Sequence, residues 1–335
     1  MRMRHIAAGE PVPRLWSPLF MDALRELGEL DIVRDGAKLE DARRLALMAE
    51  PDVLLTGWGA SPVPIALAQA PGNVKYVCHV TGSVRGTIPL EIIEAGIPVS
   101  NWGTAPAHMV SEGAMALLLA SLKDIHARVM STRRGEWGLD MHTHGGTLRG
   151  LKVGIYGCGA IGRTFVEMLR PFGAVITVHD PYIDDVPEGC LRADSLEDLF
   201  EDIEALVIHA GLSDETKGAI SAKLLARLPR HGVVVNTARG GIIDQDALFA
   251  ELESGRLRAG LDVLEPDRLP DAHPARQWEN VIFTSHQVER EWPDDDLPPK
   301  KLLPMHEVCL ENLRRFRAGE PILYAMDRER YLRST

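Results

Sequence analysis

Short runs of branched apolar residues recur along the chain, and most are followed by a glycine or polar turn and then a segment with helical spacing. "PDVLLTG" (51–57), "VKYVCHV" (74–80) and "IPVSNWG" (97–103) read as strands in the first third. "LKVGIYG", "AVITVHD", "EALVIHA", "GVVVNTA", "AGLDVLE" and "VIFTSH" continue the series between residues 151 and 286. Runs such as Val233-Val234-Val235 lack polar alternation, as strands covered on both faces do. "SPLFMDALRELG" (17–28), "RTFVEMLRPFG" (163–173) and "DQDALFAELESG" (244–255) carry the helical period. Alternation of this kind predicts an α/β fold of parallel sheets with helices on both faces.

At 335 residues the chain is long enough for two domains. The segment "NWGTAPAHMVSEGAMALLLASLKDIHARV" (101–129) begins as a loop and continues as a long apolar helix. A second helix, "KKLLPMHEVCLENLRRFRAG" (300–319), follows the Pro/Asp-rich "EWPDDDLPPK" (291–300). Read as crossovers, they give a discontinuous substrate domain, residues 1–103 with 292–335, and a nucleotide-binding domain at 104–291. Two Rossmann-like or flavodoxin-like sheets would then face each other across a cleft, a preferred ligand position.

Charge and composition narrow the function. A net charge of −11 without a Lys/Arg-rich run argues against nucleic acid as a partner. The longest apolar run, "AMALLLA" (114–120), is too short for a membrane span, and no signal-peptide core follows the basic "MRMRHIAAGE". Cys78, Cys158, Cys190 and Cys309 are scattered, as expected of reduced core thiols in a cytoplasmic protein. The H-x-H of "DMHTHGG" (140–146) is read as loop, with no metal expected.

The strongest motif is "LKVGIYGCGAIGRTF" (151–165), with Gly157-x-Gly159-x-x-Gly162 between a strand and a helix. The first glycine allows a tight turn, the second lets backbone approach a pyrophosphate, and the third lets helix and strand pack closely. Ala160 and Ile161 open the helix, whose free N–H groups would face the phosphates. Asp180 ends the next strand at the spacing of a ribose-binding acid. It would repel a 2′-phosphate by about 4 kcal/mol at 4 Å with an effective dielectric near 20. NAD is therefore expected over NADP.

Three later strand ends carry Arg239 in "NTARGG", Asp262 and Asp267 in "LDVLEPDRLP", and His286 in "FTSHQVERE". Strands of one parallel sheet end on one edge, so these groups can converge. An arginine binds a carboxylate through paired charge-assisted hydrogen bonds, while a histidine supported by an acid exchanges a proton with an oxygen.

At these motifs the chain resembles the D-2-hydroxyacid dehydrogenases, the family of phosphoglycerate, glycerate and D-lactate dehydrogenases. "TLRGLKVGIYGCGAIG", "VIHAGLSDETKGAIS", "VVVNTARGGIIDQDALFAELESGRLRAGLDVLEP" and "ENLRRFRAGEPI" carry the likeness in order. The resemblance implies an NAD-dependent oxidoreductase (EC 1.1.1.-) that interconverts a 2-keto acid and a D-2-hydroxy acid. It makes Arg239 the carboxylate-binding catalytic arginine, His286 the general acid/base and Asp267 its partner, in the place of a usual glutamate. Asp262 is expected near the nicotinamide, with His209, Thr237 and Ala238 along the cofactor. Gly82 and Ser83 match the turn that meets the substrate carboxylate, and a homodimer is expected. The alternative from another class is an NAD(H)-binding, corepressor-like regulatory protein with little turnover.

The pattern departs in three places. The first-domain turn reads "VTGSVRGTI", with Val84 for a glycine and Arg85 nearby, a candidate for a second anionic group of the substrate. Ser285 replaces a usual proline before His286, and Gln287, Glu289 and Trp292 follow where small residues are usual. Gly211 replaces a proline in "VIHAGL".

Overall fold

In a computed structural model the described residues are 1–12, 14–141, 143–288 and 301–333, with nothing taken from the side chain of Arg333. Contacts divide the chain into two units, Met1–Pro106 with Glu291–Thr335, and Ala107–Arg290.

The first unit is built on five parallel strands: β1 (Arg2–Ile6), β2 (Glu29–Val33), β3 (Val53–Thr56), β4 (Tyr76–His79) and β5 (Val99–Ser100). Their order is β2-β1-β3-β4-β5. Alternate residues feed opposite layers: Val53, Leu55, Tyr76 and Cys78 join one core cluster, Leu54 and Val77 the other. The N-terminal "MRMRHI", basic and without an apolar run, is the inner strand β1. Its Met3 and Ile6 are buried, and Arg4 is reconciled with the sheet by Asp31 and Glu50, each at 2.7 Å. The C-terminal helix Pro304–Ala318 packs its buried face, including Cys309, Leu310 and Leu313, into the same core.

The second unit has seven parallel strands: β6 (Lys152–Tyr156), β7 (Val175–His179), β8 (Leu191–Arg192), β9 (Ala205–Ile208), β10 (Val233–Asn236), β11 (Arg258–Leu261) and β12 (Val281–Phe283). The order β12-β11-β10-β9-β6-β7-β8 puts the tips of β6, β9, β10, β11 and β12 side by side. Ala205 and Val207 face one core cluster, and Leu206 and Ile208 the other, which explains the unbroken apolar runs. The long helix expected within 101–129 is two helices, Ala107–Leu122 and Ile125–Arg133. The break is at Asp124, in the left-handed region at φ 56°, whose carboxylate accepts the His144 N–H at 2.9 Å.

Among the described residues no helix is long and apolar enough to cross a membrane.

Candidate active site

The glycine loop connects β6 to the helix Ala160–Leu169. Gly157 sits at φ 89°, and a Cβ there would lie 2.4 Å from the Ala210 nitrogen. A Cβ on Gly162 would lie 2.3 Å from the Gly157 carbonyl oxygen. Both positions exclude a side chain because backbone passes against backbone. Gly159, at the helix start, has no neighbouring atom within 4 Å of a would-be Cβ. The first and third glycines thus close the turn, while the second presents open backbone. Asp180, one residue beyond β7, accepts the Cys158 N–H at 2.7 Å and the Tyr182 N–H at 2.9 Å. Its carboxylate is fixed beside the loop.

The adjacent tips of β9 and β10 carry unpaired buried polar atoms. Both ring nitrogens of His209 and the hydroxyl of Thr237 have no hydrogen-bond partner. Burial pushes the His209 imidazole down to about 3, so it is neutral at pH 7. Buried polar groups are otherwise satisfied in nearly every protein. Together with the open backbone at Gly159, these atoms fit an extended polar ligand along this edge, as a dinucleotide would be. Ala238 is half-buried in the same stretch, and its N–H is taken by Asn236 Oδ1 at 3.0 Å.

Arg239 follows β10 in extended backbone, and its Nη1 donates to the Ala238 carbonyl at 2.6 Å. Gly240 lets the β11 exit pass over it, since a Cβ would stand 2.1 Å from the Leu264 carbonyl carbon. In register, Asn236 pairs with Leu261 and Leu261 with Phe283. The strand ends that lead to Arg239 and His286 are therefore two strand spacings, about 10 Å, apart across the sheet.

His286 Nδ1 pairs directly with Asp267 Oδ2, so the shorter aspartate side chain reaches the ring. Asp267 Oδ1 also accepts the Leu264 N–H at 3.2 Å, which fixes the carboxylate from its other side. Glu265 is held elsewhere, its backbone exchanging hydrogen bonds with the Gln245 side chain at 2.9 Å.

Asp262 is 3 % exposed, and one carboxylate oxygen gathers three donors: Thr284 Oγ1 at 2.6 Å, Gln287 N–H at 2.9 Å and Val288 N–H at 3.1 Å. Its carbonyl accepts the His286 N–H at 2.6 Å. Asp262, expected near the nicotinamide, also anchors the histidine loop. That loop needs an anchor. Ser285 and His286 are both left-handed, at φ 56° and 57°, a conformation costing about 1–2 kcal/mol per non-glycine residue. A proline at 285 could not adopt it, because its ring fixes φ near −65°. Val288 completes the anchoring by packing over Gly113, where a Cβ would lie 2.2 Å from its Cγ2. Thr284, Val288 and Gly113 escaped sequence reading, since a hydroxyl, a valine and a helical glycine carry no chemical signature.

A cavity of about 660 Å³ beside this loop is bordered by Asp262, Asp267, Ser285, Trp278 and Phe283. Arg239 and His286 are not among its lining residues, but Asp262 and Asp267 of the polar cluster are.

In the first unit, Gly82 is buried with its carbonyl accepting Asn101 Nδ2 at 2.7 Å, and Ser83 is half-buried. Arg85 turns to the C-terminal helix Arg328–Arg333, where Nε donates to the Tyr331 carbonyl at 3.1 Å and Nη2 to that of Leu332. In this arrangement Arg85 is tethered to backbone carbonyls. Glu289, Trp292 and His142 lie outside the described residues. Among the described residues no cluster of three or more potential metal ligands occurs.

Fold and loop together define a nucleotide-binding protein with two parallel-sheet α/β units. The sequence model of the D-isomer specific 2-hydroxyacid dehydrogenase NAD-binding domain matches residues 115–287. The D-3-phosphoglycerate dehydrogenase of Methanocaldococcus jannaschii is 31% identical over 274 residues, covering 81% of this chain and 52% of that protein. The hydroxypyruvate reductase of Thermotoga maritima is 30% identical over 263 residues, covering 77% of this chain and 84% of that protein. The structure of a D-2-hydroxyisocaproate dehydrogenase superposes with a TM-score of 0.78 at 20% identity, covering 97% of this chain and 99% of that one. The chain belongs to the D-isomer specific 2-hydroxyacid dehydrogenase family and carries its NAD-binding domain. It spans about half the length of the phosphoglycerate dehydrogenases it matches.

Proposed function

We propose that the chain is an NAD(H)-dependent oxidoreductase that interconverts a 2-keto acid and a D-2-hydroxy acid. The observation that carries this reading is the Asp267–His286 pair, held on an anchored loop two strands from the tip bearing Arg239. The loop Gly157–Gly162, Asp180, His209 and Thr237 are the residues that would hold the dinucleotide, which supplies or accepts the hydride when bound.

The remaining chemistry falls to side chains. Arg239 binds the substrate carboxylate through two parallel N–H donors, each worth roughly 1.5–3 kcal/mol. By the family resemblance, the backbone N–H groups of Gly82 and Ser83 are further donors to that carboxylate. His286 holds a proton at Nε2 and delivers it to the oxygen on C2 during reduction. Asp267, on Nδ1, fixes the tautomer and sustains the imidazolium, and in the oxidative direction Nε2 accepts the proton instead. Asp180 supports NADH over NADPH through its fixed charge beside the loop. A homodimer in the cytoplasm is proposed on the resemblance and the scattered thiols.

NADH oxidation against a panel of small, branched, aromatic, dicarboxylic and phosphorylated 2-keto acids tests the proposal. Turnover with at least one member, slower with NADPH, is expected. Saturable NADH binding without turnover of any member would refute the catalytic reading, and equal use of NADPH would refute the role given to Asp180.

A further inference from the structure

The second sheet has another polar concentration at its opposite, amino-terminal edge. A cavity of about 250 Å³ is lined there by His144, Gly145, Glu204, Arg230, His231 and Arg258 among others. Arg258 opens β11 and is 5 % exposed. Its Nη1 donates to the carbonyls of Ser121 and Leu122, at 3.2 and 3.3 Å, at the end of the helix Ala107–Leu122. Among the described residues no carboxylate pairs with it, and nothing accepts from its Nε or Nη2. A charge so buried is costly unless an anion compensates it. Asp124 acts on it through space without an ion pair, and one of its carboxylate oxygens accepts the His144 N–H.

The surroundings repeat the same sign. His144 and His231 stack with ring centroids 4.1 Å apart, and His231 is left-handed at φ 66°, pinned by its N–H to the Arg256 carbonyl at 2.6 Å. Burial first, then the charges of His144, Arg258 and Arg230, hold the His231 imidazole below its ordinary range, against the pull of Asp124. Arg128 adds a further cation, felt at Arg258. Of the acids, Glu204 is turned to the Lys152 N–H at 3.1 Å. Cationic groups come from four separate segments, and three of them depress one histidine.

We propose that this cavity binds a small tetrahedral oxyanion, inorganic phosphate or the phosphate of a small monoester, between Arg230, Arg258 and the His144–His231 pair. The site stands apart from the dinucleotide edge and does not depend on the proposed reaction. An anion there reverses the field at His231, so binding takes up protons and strengthens as pH falls from 8 to 6.

Sulfate is the first probe, because its charge is constant over this range. It is titrated into the full chain while the Cε1–H resonances of His144 and His231 are followed, which separates this cavity from anions on the glycine loop. Saturable shifts of both resonances are expected, with affinity about three-fold higher at pH 6 than at pH 8, the part of a one-unit pKa shift expressed in that range. Arg230→Ala removes an exposed side chain and should weaken binding about ten-fold. His231→Asn, which tolerates the left-handed backbone, should abolish most of the pH dependence. Inorganic phosphate and glycerol phosphate as second probes distinguish the free ion from a monoester. Absence of saturable shifts at pH 6, or unchanged affinity in Arg230→Ala, overturns the proposal.

Discussion

Two parallel sheets in this chain handle buried histidines differently. The five-stranded unit buries His5, His79 and His306 within its layers. His5 stacks on Trp16 at 4.0 Å, His306 on Phe20 at 4.1 Å, and His79 sits between the hydroxyls of Thr56 and Thr81, 2.8 Å from each. Burial pushes all three down to about 4. The seven-stranded unit packs its strands with aliphatic residues and keeps its polar groups at the tips, where His209, Thr237, Arg239, Asp262 and His286 follow one another from strand to strand. The first arrangement ties stability to neutral imidazoles. The second carries one such histidine, His209, at a strand tip and gathers its polar side chains along one edge of the sheet.

The largest consequence is acid sensitivity of the first unit. A histidine with a folded pKa of about 4 stabilises the fold fully above the unfolded value of about 6.5, and this stability is lost as pH falls toward 4. By pH 5 each of the three forfeits on the order of 2 kcal/mol, against a domain stability of about 5–15 kcal/mol. Hydrogen exchange between pH 7 and 5 should therefore show residues 1–100 losing protection before residues 150–280, which hold one comparable group, His209. Equal loss in both regions would erase the contrast.

Next in size, Arg239→Gln should lower kcat/KM by about 10²–10³-fold, the loss of two charge-assisted bonds, with little change in hydrogen exchange of either unit. Unaltered kinetics would remove the arginine from the site. Asp262→Ala leaves the Gln287 and Val288 N–H groups without their acceptor, at about 1–3 kcal/mol each. It should reduce kcat more than NADH affinity, since the loop it releases carries His286 while the glycine loop is untouched. A pure loss of NADH affinity would assign Asp262 to the cofactor and contradict its anchoring role.

The smallest effects separate two glycines three residues apart. Gly162→Ala forces a Cβ against the Gly157 carbonyl and should lower stability by about 1–3 kcal/mol. Gly159→Ala meets no atom and should cost less than about 1 kcal/mol, yet raise the NADH Kd by filling the open backbone. Thermal melts with and without NADH resolve the pair, and matching behaviour would contradict the cradle.

Legibility in the sequence follows the same division. In the second unit the information is local: a glycine loop between strand and helix, a polar residue at each strand end, a continuous apolar run for each buried strand. Sequence reading therefore reached the sheet, the loop and the Asp267–His286 proximity from spacing and resemblance. What it missed there depends on tertiary contact: Asp262 turned inward to the loop, the left-handed Ser285–His286 step, and Val288 over Gly113. In the first unit β1 went unread because two of its side chains are arginines, and the inward one, Arg4, is neutralised only once Asp31 and Glu50 are brought in from β2 and the helix Asp41–Ala49 region. Buried histidines and the buried Arg258 have no sequence pattern, since burial is decided by residues far along the chain.

His286→Gln, assayed for kcat and NADH Kd on the same preparation with the best 2-keto acid found, tests the proposed chemistry most directly. We expect kcat to fall by about 10²–10⁴-fold, the usual contribution of a general acid, with NADH Kd almost unchanged. Undiminished turnover in that variant would contradict the assignment of the proton to His286.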